Sequence, residues 1–354
     1  MGITIKSPGL LTTVQDNGRY GFRKYGVIVS GAMDEVALRV GNLLVGNNEQ
    51  DAAIEVTVMG PEVQINENTV ISICGGNLSP KINNCFIPMW RPIYVKAGSI
   101  LSFGKCIFGT RCYISFAGSI NIDKIMGSKS TYLRAEIGGY NGRKLIKNDE
   151  LILDKPSYQS VKIMKSLSTQ VNSNGFSYPK WSVSNSIIPK YNLNSKLRVI
   201  KGEEFNYFDD ESKNAFLQEK FLITPQSDRM GYRIKGSKLK LKFPLEMISN
   251  AVALGTIQVP PDGNPIVLLA DRQTTGGYPK IGEIITIDIP RIAQLKPGDN
   301  LSFEEISLVE AQKLYIKREK DIQALKTSLL LKLVLLINYE NIALKITKLL
   351  YDLL

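Results

Sequence analysis

Three blocks of this chain recur in the same order roughly 200 residues further along, and this duplication constrains the fold more than any other feature. Thr13–Gly26 and Thr224–Gly236 share, with one gap, a Thr, a Gln, an Arg, a Gly, an aromatic, a second Arg and a closing Gly. Ile54–Gly60 then parallels Ile257–Gly263, and Lys96–Phe103 parallels Lys296–Phe303. A single Gly-rich turn matches by chance easily; three collinear blocks point to two homologous lobes. The spacing sets a first lobe over residues 1–195, carrying an insertion and a linker, and a second over 196–315.

Short runs rich in Val and Ile, separated by turn residues, read as strands. Val63–Asn66 and Thr69–Ile73 flank Glu67-Asn68 as a hairpin would. Residues 92–103, 112–122 and 283–289 read as further strands. One helix stands out after Asp34, which can cap it: Val36, Ala37, Val40, Leu43 and Leu44 fall at helical spacing, and Gly46 can stop it. A second helix starts at Ser307, where Ser307-Leu-Val-Glu310 has the capping-box pattern, and leads into an amphipathic tail over 316–354 that packs on the protein or a partner. The Ser- and Asn-rich stretch 165–194 reads as a linker or exposed excursion. The fold class is therefore mainly β, in barrel-like lobes with a few short helices and a C-terminal helical tail.

The chain has no histidine, which excludes Ser-His-Asp and Cys-His triads and imidazole acid–base chemistry. Cys74, Cys85, Cys106 and Cys112 have no CxxC spacing, so they read as reduced thiols rather than metal ligands. The net charge of +11 comes from dispersed lysines without interleaved aromatics, which reads as a solvated surface and not as a nucleic-acid site. No apolar leader and no run of about 18 apolar residues is visible, so a cytoplasmic chain without a transmembrane segment is expected. Gly127-Ser-Lys-Ser-Thr131 lacks the glycines of a phosphate-binding loop, leaving Lys129 and Arg134 as candidate anion contacts. Met164-Lys165-Ser166 does not make a biotin-carrying lysine, so no covalent biotin is expected here.

Three polar, turn-rich segments can carry chemistry: 11–19, 224–231 and 270–279. The last leaves an apolar strand, where a scaffold presents reactive groups. There Asp271 can act as a base or orient a water, Arg272 can grip a carboxylate or phosphate, Gln273 and Thr274 offer neutral donors, and Gly276-Gly277 admit close approach. The competing reading is a turn whose Asp and Arg pair with each other.

Residues 7–22 (SPGLLTTVQDNGRYGF), 26–47 (GVIVSGAMDEVALRVGNLLVGN), 127–143 (GSKSTYLRAEIGGYNGR), 224–236 (TPQSDRMGYRIKG) and 257–282 (IQVPPDGNPIVLLADRQTTGGYPKIG) closely resemble the allophanate-hydrolase-subunit-2-like family, also called biotin-dependent carboxyltransferase-like. The likeness spans residues 3–315. Members include the C subunits of 5-oxoprolinases, KipA-type proteins and the carboxyltransferase portion of urea carboxylase. The resemblance implies two cyclophilin-like β-barrels with a cleft between them. It also implies work in a complex with a KipI-like B subunit and a LamB/YcsF-like A subunit, hydrolysing 5-oxo-L-proline to L-glutamate with ATP as co-substrate. By motif position it nominates Asp228, Arg229, Asp271, Arg272, Gln273 and Thr274 as catalytic, with Arg229 and Arg272 as anion clamps. It nominates Gln226, Gln258, Gln15, Asp16, Arg19, Ser30 and Asp34 as substrate-binding, with Gln258 reading an amide. The family also leaves open a carboxyltransferase acting with a separate biotinyl protein, and a regulator binding a KipI-like kinase inhibitor.

Overall fold

This computed structural model describes residues 2–191 and 196–351, and side chains outside 333–351. The N-terminal β unit is built from two six-stranded sheets facing each other. One runs Glu150–Ile152, Gly2–Ser7, Glu62–Ile65, Ile100–Ser102, Lys81–Ile82, Cys85–Phe86. The other runs Phe176–Ser177, Ile93–Val95, Thr69–Asn77, Phe108–Phe116, Ala53–Thr57, Leu11–Gln15. Alternate side chains such as Ile3, Ile5, Val63, Ile71, Ile73, Ile114 and Phe116 meet between them.

Thr69–Asn77 and Phe108–Phe116 are buried on both faces along nearly their whole length. Their second face, with Ser72, Cys74, Tyr113 and Ser115, lies against helix α1 (Glu35–Leu44). Asp34 caps this helix by accepting the Ala37 N–H at 3.0 Å. Gly41 fits because a Cβ there would sit 2.8 Å from Ser115 Oγ. The same double burial overturns the expected hairpin at Glu67-Asn68. Glu62–Ile65 belongs to one sheet and Thr69–Asn77 to the other, so this turn carries the chain between sheets.

Stretch 165–191 is largely exposed, as expected of an excursion, but it is anchored at several points. Helix α2 (Tyr158–Ser168) occupies its start, Phe176–Ser177 pairs with Tyr94–Val95, and Val183 and Ile187 bury against α1. A few well-placed apolar side chains are enough to dock a polar stretch of this kind. Residues 192–194 of the expected linker lie outside the described residues.

The C-terminal β unit is an eight-stranded sheet ordered Asn300–Leu301, Phe221–Ile223, Gly231–Lys235, Ile266–Leu268, Thr256–Gln258, Lys280–Ile284, Leu197–Lys201, Phe303–Glu305. Its two edge strands are consecutive in the chain, parted by Ser302 alone, so the sheet curls almost into a closed barrel. The barrel core holds Val199, Phe216, Phe221, Ile234, Ile257, Val267 and Phe303, with helix α3 (Asp210–Gln218) over one end. Met33 of the N-terminal unit joins this core. The strand expected over 283–289 stops at Ile284; a 3-10 turn and helix α4 (Ile289–Ala293) follow. Pro290 has no N–H for a strand ladder, and it sits in the first turn of α4, where none is needed.

Helix α5 (Leu308–Tyr351) begins at the expected capping box: Ser307 Oγ accepts the Glu310 N–H at 3.2 Å. It packs on α1 through Ile322, Leu325 and Leu329, and Arg39 of α1 grips Glu319 with two bonds of 2.9 and 2.8 Å. Among the described residues no helix is long and apolar enough to cross a membrane.

Candidate functional site

The turn after strand Phe221–Ile223 is held by Asp228, whose Oδ1 accepts the Met230 and Gly231 N–H groups at 2.8 and 3.3 Å. This turn sends Arg229 into the junction between the two β units. There Arg229 Nε and Nη2 reach both oxygens of Asp271 at 2.9 and 3.2 Å, Nη1 donates to Glu55, and Nη2 also donates to the Gly31 carbonyl. All three charged side chains are buried. Glu55 Oε2 accepts in addition from Tyr113 Oη at 2.6 Å and the Met33 N–H at 2.9 Å.

The network continues through the Asp34 N–H, which donates to Tyr113 Oη at 2.8 Å. The Asp34 carboxylate accepts from Tyr191 Oη at 2.7 Å and from Gln294 Nε2 at 3.1 Å. Gln294, at the end of α4, accepts from the Thr110 and Arg111 N–H groups, both at 2.8 Å, and Arg111 Nη1 donates to Tyr232 Oη at 2.7 Å. Burial pushes the Glu55 carboxyl up, but the Arg229 and Arg111 charges outweigh it and hold that carboxyl below its ordinary range. Asp34 makes no ion pair among the described residues, and burial raises its carboxyl despite its hydrogen bonds and the Arg318 charge.

This geometry joins the two β units rather than offering free reactive groups. Asp271 has both oxygens on Arg229, and every nitrogen of that guanidinium is engaged by protein acceptors. Gln15, Asp16 and Arg19 brace one loop instead. Asp16 accepts from the Gly18 N–H, Ser128 Oγ, the Lys129 N–H and Ser130 Oγ. Arg19 donates to the carbonyls of Ile125 and Ser130, both at 2.9 Å, and Gln15 to the Thr131 carbonyl at 3.2 Å. The Gly127–Thr131 segment thus wraps a carboxylate rather than cradling a phosphate. Lys129 Nζ donates to the Ile120 carbonyl at 2.6 Å, and Arg134 pairs with Asp228 at 3.2 Å.

Gln226, Asp228, Gln258 and Gln273 do converge. They line an open groove of about 760 Å3 on the C-terminal barrel, together with Arg134 and Arg233. Gln258 is buried and fixed by donating to the Tyr278 carbonyl at 3.2 Å. Its side chain packs on Gly276, where a Cβ would come within 2.5 Å of Nε2. Neutral amides beside guanidinium groups suit a ligand that carries both an amide and an anionic oxygen. Thr274 lies elsewhere, its carbonyl accepting from Arg23 at 3.1 Å. Ser30 and Arg272 face a separate small cavity between the units. Among the described residues no group of three or more Cys, Asp or Glu could hold a metal ion.

Glu55, Arg111, Tyr113, Tyr191 and Gln294 were not singled out by sequence reasoning. One signal was available for Glu55: the repeat aligns Ile54-Glu55 with Ile257-Gln258, the pair that supplies the fixed glutamine of the groove.

The model of the carboxyltransferase domain, subdomain A and B, matches residues 25–305. The chain belongs to this carboxyltransferase family. It is 36% identical to the 5-oxoprolinase C subunit of Haemophilus influenzae over 307 residues, 87% of this chain and 92% of that one. It is likewise 36% identical to the 5-oxoprolinase C subunit of Escherichia coli, over 86% of this chain and 91% of that one. The crystal structure of the K. lactis urea amidolyase superposes with a TM-score of 0.81 at 31% identity, over 91% of this chain. The chain spans only 20% of that larger carboxyltransferase relative.

Proposed function

We propose that this carboxyltransferase-family chain is the C subunit of an ATP-dependent 5-oxoprolinase, acting with KipI-like B and LamB/YcsF-like A subunits. The observation that carries the reading is coverage: the match spans 92% of a protein named as the C subunit of 5-oxoprolinase, and only a fifth of a urea amidolyase. Residues 1–195 and 196–315 would act as paired lobes, with the 760 Å3 groove of the second facing the substrate.

A lactam is resonance-stabilised, so its opening needs activation. Transfer of the γ-phosphoryl group of ATP to the amide oxygen releases ADP and makes the ring carbon electrophilic. Water then adds, the C–N bond breaks, and a second water releases phosphate from the acyl phosphate. Histidine is not required; what is required is charge stabilisation in a site shielded from water. Gln258, pinned in place, would read the lactam amide, while Arg233 and Arg134 would meet the carboxylate or phosphoryl oxygens.

Gln258→Leu removes the amide while keeping a side chain of similar size. In the reconstituted complex it is expected to raise the KM for 5-oxoproline about tenfold, the loss of one buried hydrogen bond. An unchanged KM would remove the groove from the substrate path. A carboxyltransferase reading draws on the TM-score of 0.81 to a urea amidolyase. It predicts biotin-dependent carboxylation of urea by the purified complex.

A further inference from the structure

We propose that the cavity between the two β units, lined by Ser30, Arg272 and Arg318, binds a small oxyanion: the carboxylate or the phosphate group of a ligand. The site needs no other protein and stands apart from the groove assigned above to the lactam.

Two buried polar side chains, Ser30 and Arg272, and the half-buried Arg318 converge there, each with a side-chain atom that has no hydrogen-bond partner among the described residues. Arg272 is 9% exposed; its Nη1 makes a 3.3 Å bond to the Leu269 carbonyl, and its Nε has no partner. Among the described residues no carboxylate lies within ion-pair distance of it. Arg318 is brought from α5, with its side chain 10% exposed. It donates to the Thr286 carbonyl at 3.3 Å, and its Nε has no hydrogen bond. Its ion pair is a long one, to Glu319 at 3.8 Å, a carboxylate that both arms of Arg39 also hold. Ser30 is 5% exposed, and its Oγ has no partner. Its backbone is in the left-handed region at φ 57°, a conformation that a non-glycine residue adopts at a cost.

Burying a guanidinium without a counter-charge is strongly unfavourable, and that is the situation of Arg272. Glu35 also lines the cavity, but it leans to Arg39 at 3.4 Å. Water could satisfy the orphaned Nε and Oγ atoms, yet it supplies no charge. Burial, with Arg23 close by, already lowers the Arg272 guanidinium to about 10, and an anion is what would relieve that. The cavity measures about 70 Å3, on the order of two waters' share of liquid, which suits one carboxylate or phosphate head rather than a nucleotide. A residue of the C-terminal helix completes the site, so the docking of α5 on α1 becomes a requirement for binding.

The test is calorimetric titration of the full chain by itself, using inorganic phosphate in one arm and 5-oxoproline in the other. Saturable binding is expected in at least one arm, phosphate indicating a phosphoryl site and 5-oxoproline alone a carboxylate site. Arg272→Met and Arg318→Met should each weaken it about tenfold or more, the loss of a charge-assisted contact. Arg272→Met should not lower the melting temperature, because it removes a buried charge that has no ion pair among the described residues. No saturable binding in either arm, or binding unchanged by both substitutions, overturns the proposal. Failure of glutamate formation by the complex leaves this result untouched.

Discussion

Asp271→Asn tests whether the buried Asp271–Arg229–Glu55 cluster joins the two β units or performs chemistry. The substitution keeps shape and removes one charge. Taking one partner from a buried ion pair costs about 3–5 kcal/mol. Here Glu55 remains on Arg229, so the lower end, about 3 kcal/mol, is expected. Glu55→Gln should behave alike, since Asp271 then remains. The double substitution leaves the guanidinium with no carboxylate, and its cost should exceed the sum of the singles by about 1–3 kcal/mol. Urea unfolding at pH 7, followed by fluorescence and circular dichroism, gives all four corners of the cycle. Additivity within about 0.5 kcal/mol would refute the shared-guanidinium account. So would an Asp271→Asn protein of wild-type stability whose complex is inactive, because that outcome makes Asp271 a reacting group.

Glu55 and Asp288 both have folded-state carboxyls below the ordinary range. Burial opposes this in each, but Arg229 and Arg111 prevail at Glu55, and Arg198 and Arg291 at Asp288. Their stabilisation is therefore complete above the unfolded value of about 4 and is lost as pH falls through the folded one; the pH–stability curve of Glu55→Gln should be flatter on the acid side. Cys74 and Cys112 are fully buried and burial pushes both thiols up, so at most Cys85 and Cys106 should react with a thiol reagent in the native protein. Ile322, the fully buried residue of α5 that packs on α1, should cost about 2–5 kcal/mol of helix docking when changed to Ala. Hydrogen exchange over residues 308–332 should then accelerate while the barrel strands stay protected, and oxyanion binding should weaken because Arg318 leaves its cavity.

Local rules carried far where the signal was local. The apolar spacing after Asp34 fixed α1 and its cap, and Ser307 with Glu310 fixed the start of α5. The partition of strands between sheets was not legible. Nothing near Glu67-Asn68 distinguishes a hairpin from a crossing, because the difference lies in which faces Thr69–Asn77 must cover. The polar segments named in the sequence do reach functional-looking places, but to three different ones. Gln226, Asp228, Gln258 and Gln273 meet in the groove, Asp271 and Arg229 bury against each other, and Ser30 and Arg272 face the small cavity. Local pairing would have put Asp271 on Arg272; its actual partner lies 42 residues away, a choice that only the fold can make. Tyr191 reaching Asp34 across 157 residues is likewise invisible to pattern.

The most direct measurement of the functional account is glutamate release from 5-oxoproline by this chain reconstituted with its candidate KipI-like and LamB/YcsF-like partners, with and without ATP. The account predicts glutamate only when all three proteins and ATP are present, with ADP and phosphate formed in step. Glutamate formed without this chain, or urea carboxylated in its place when biotinyl protein is supplied, would contradict it.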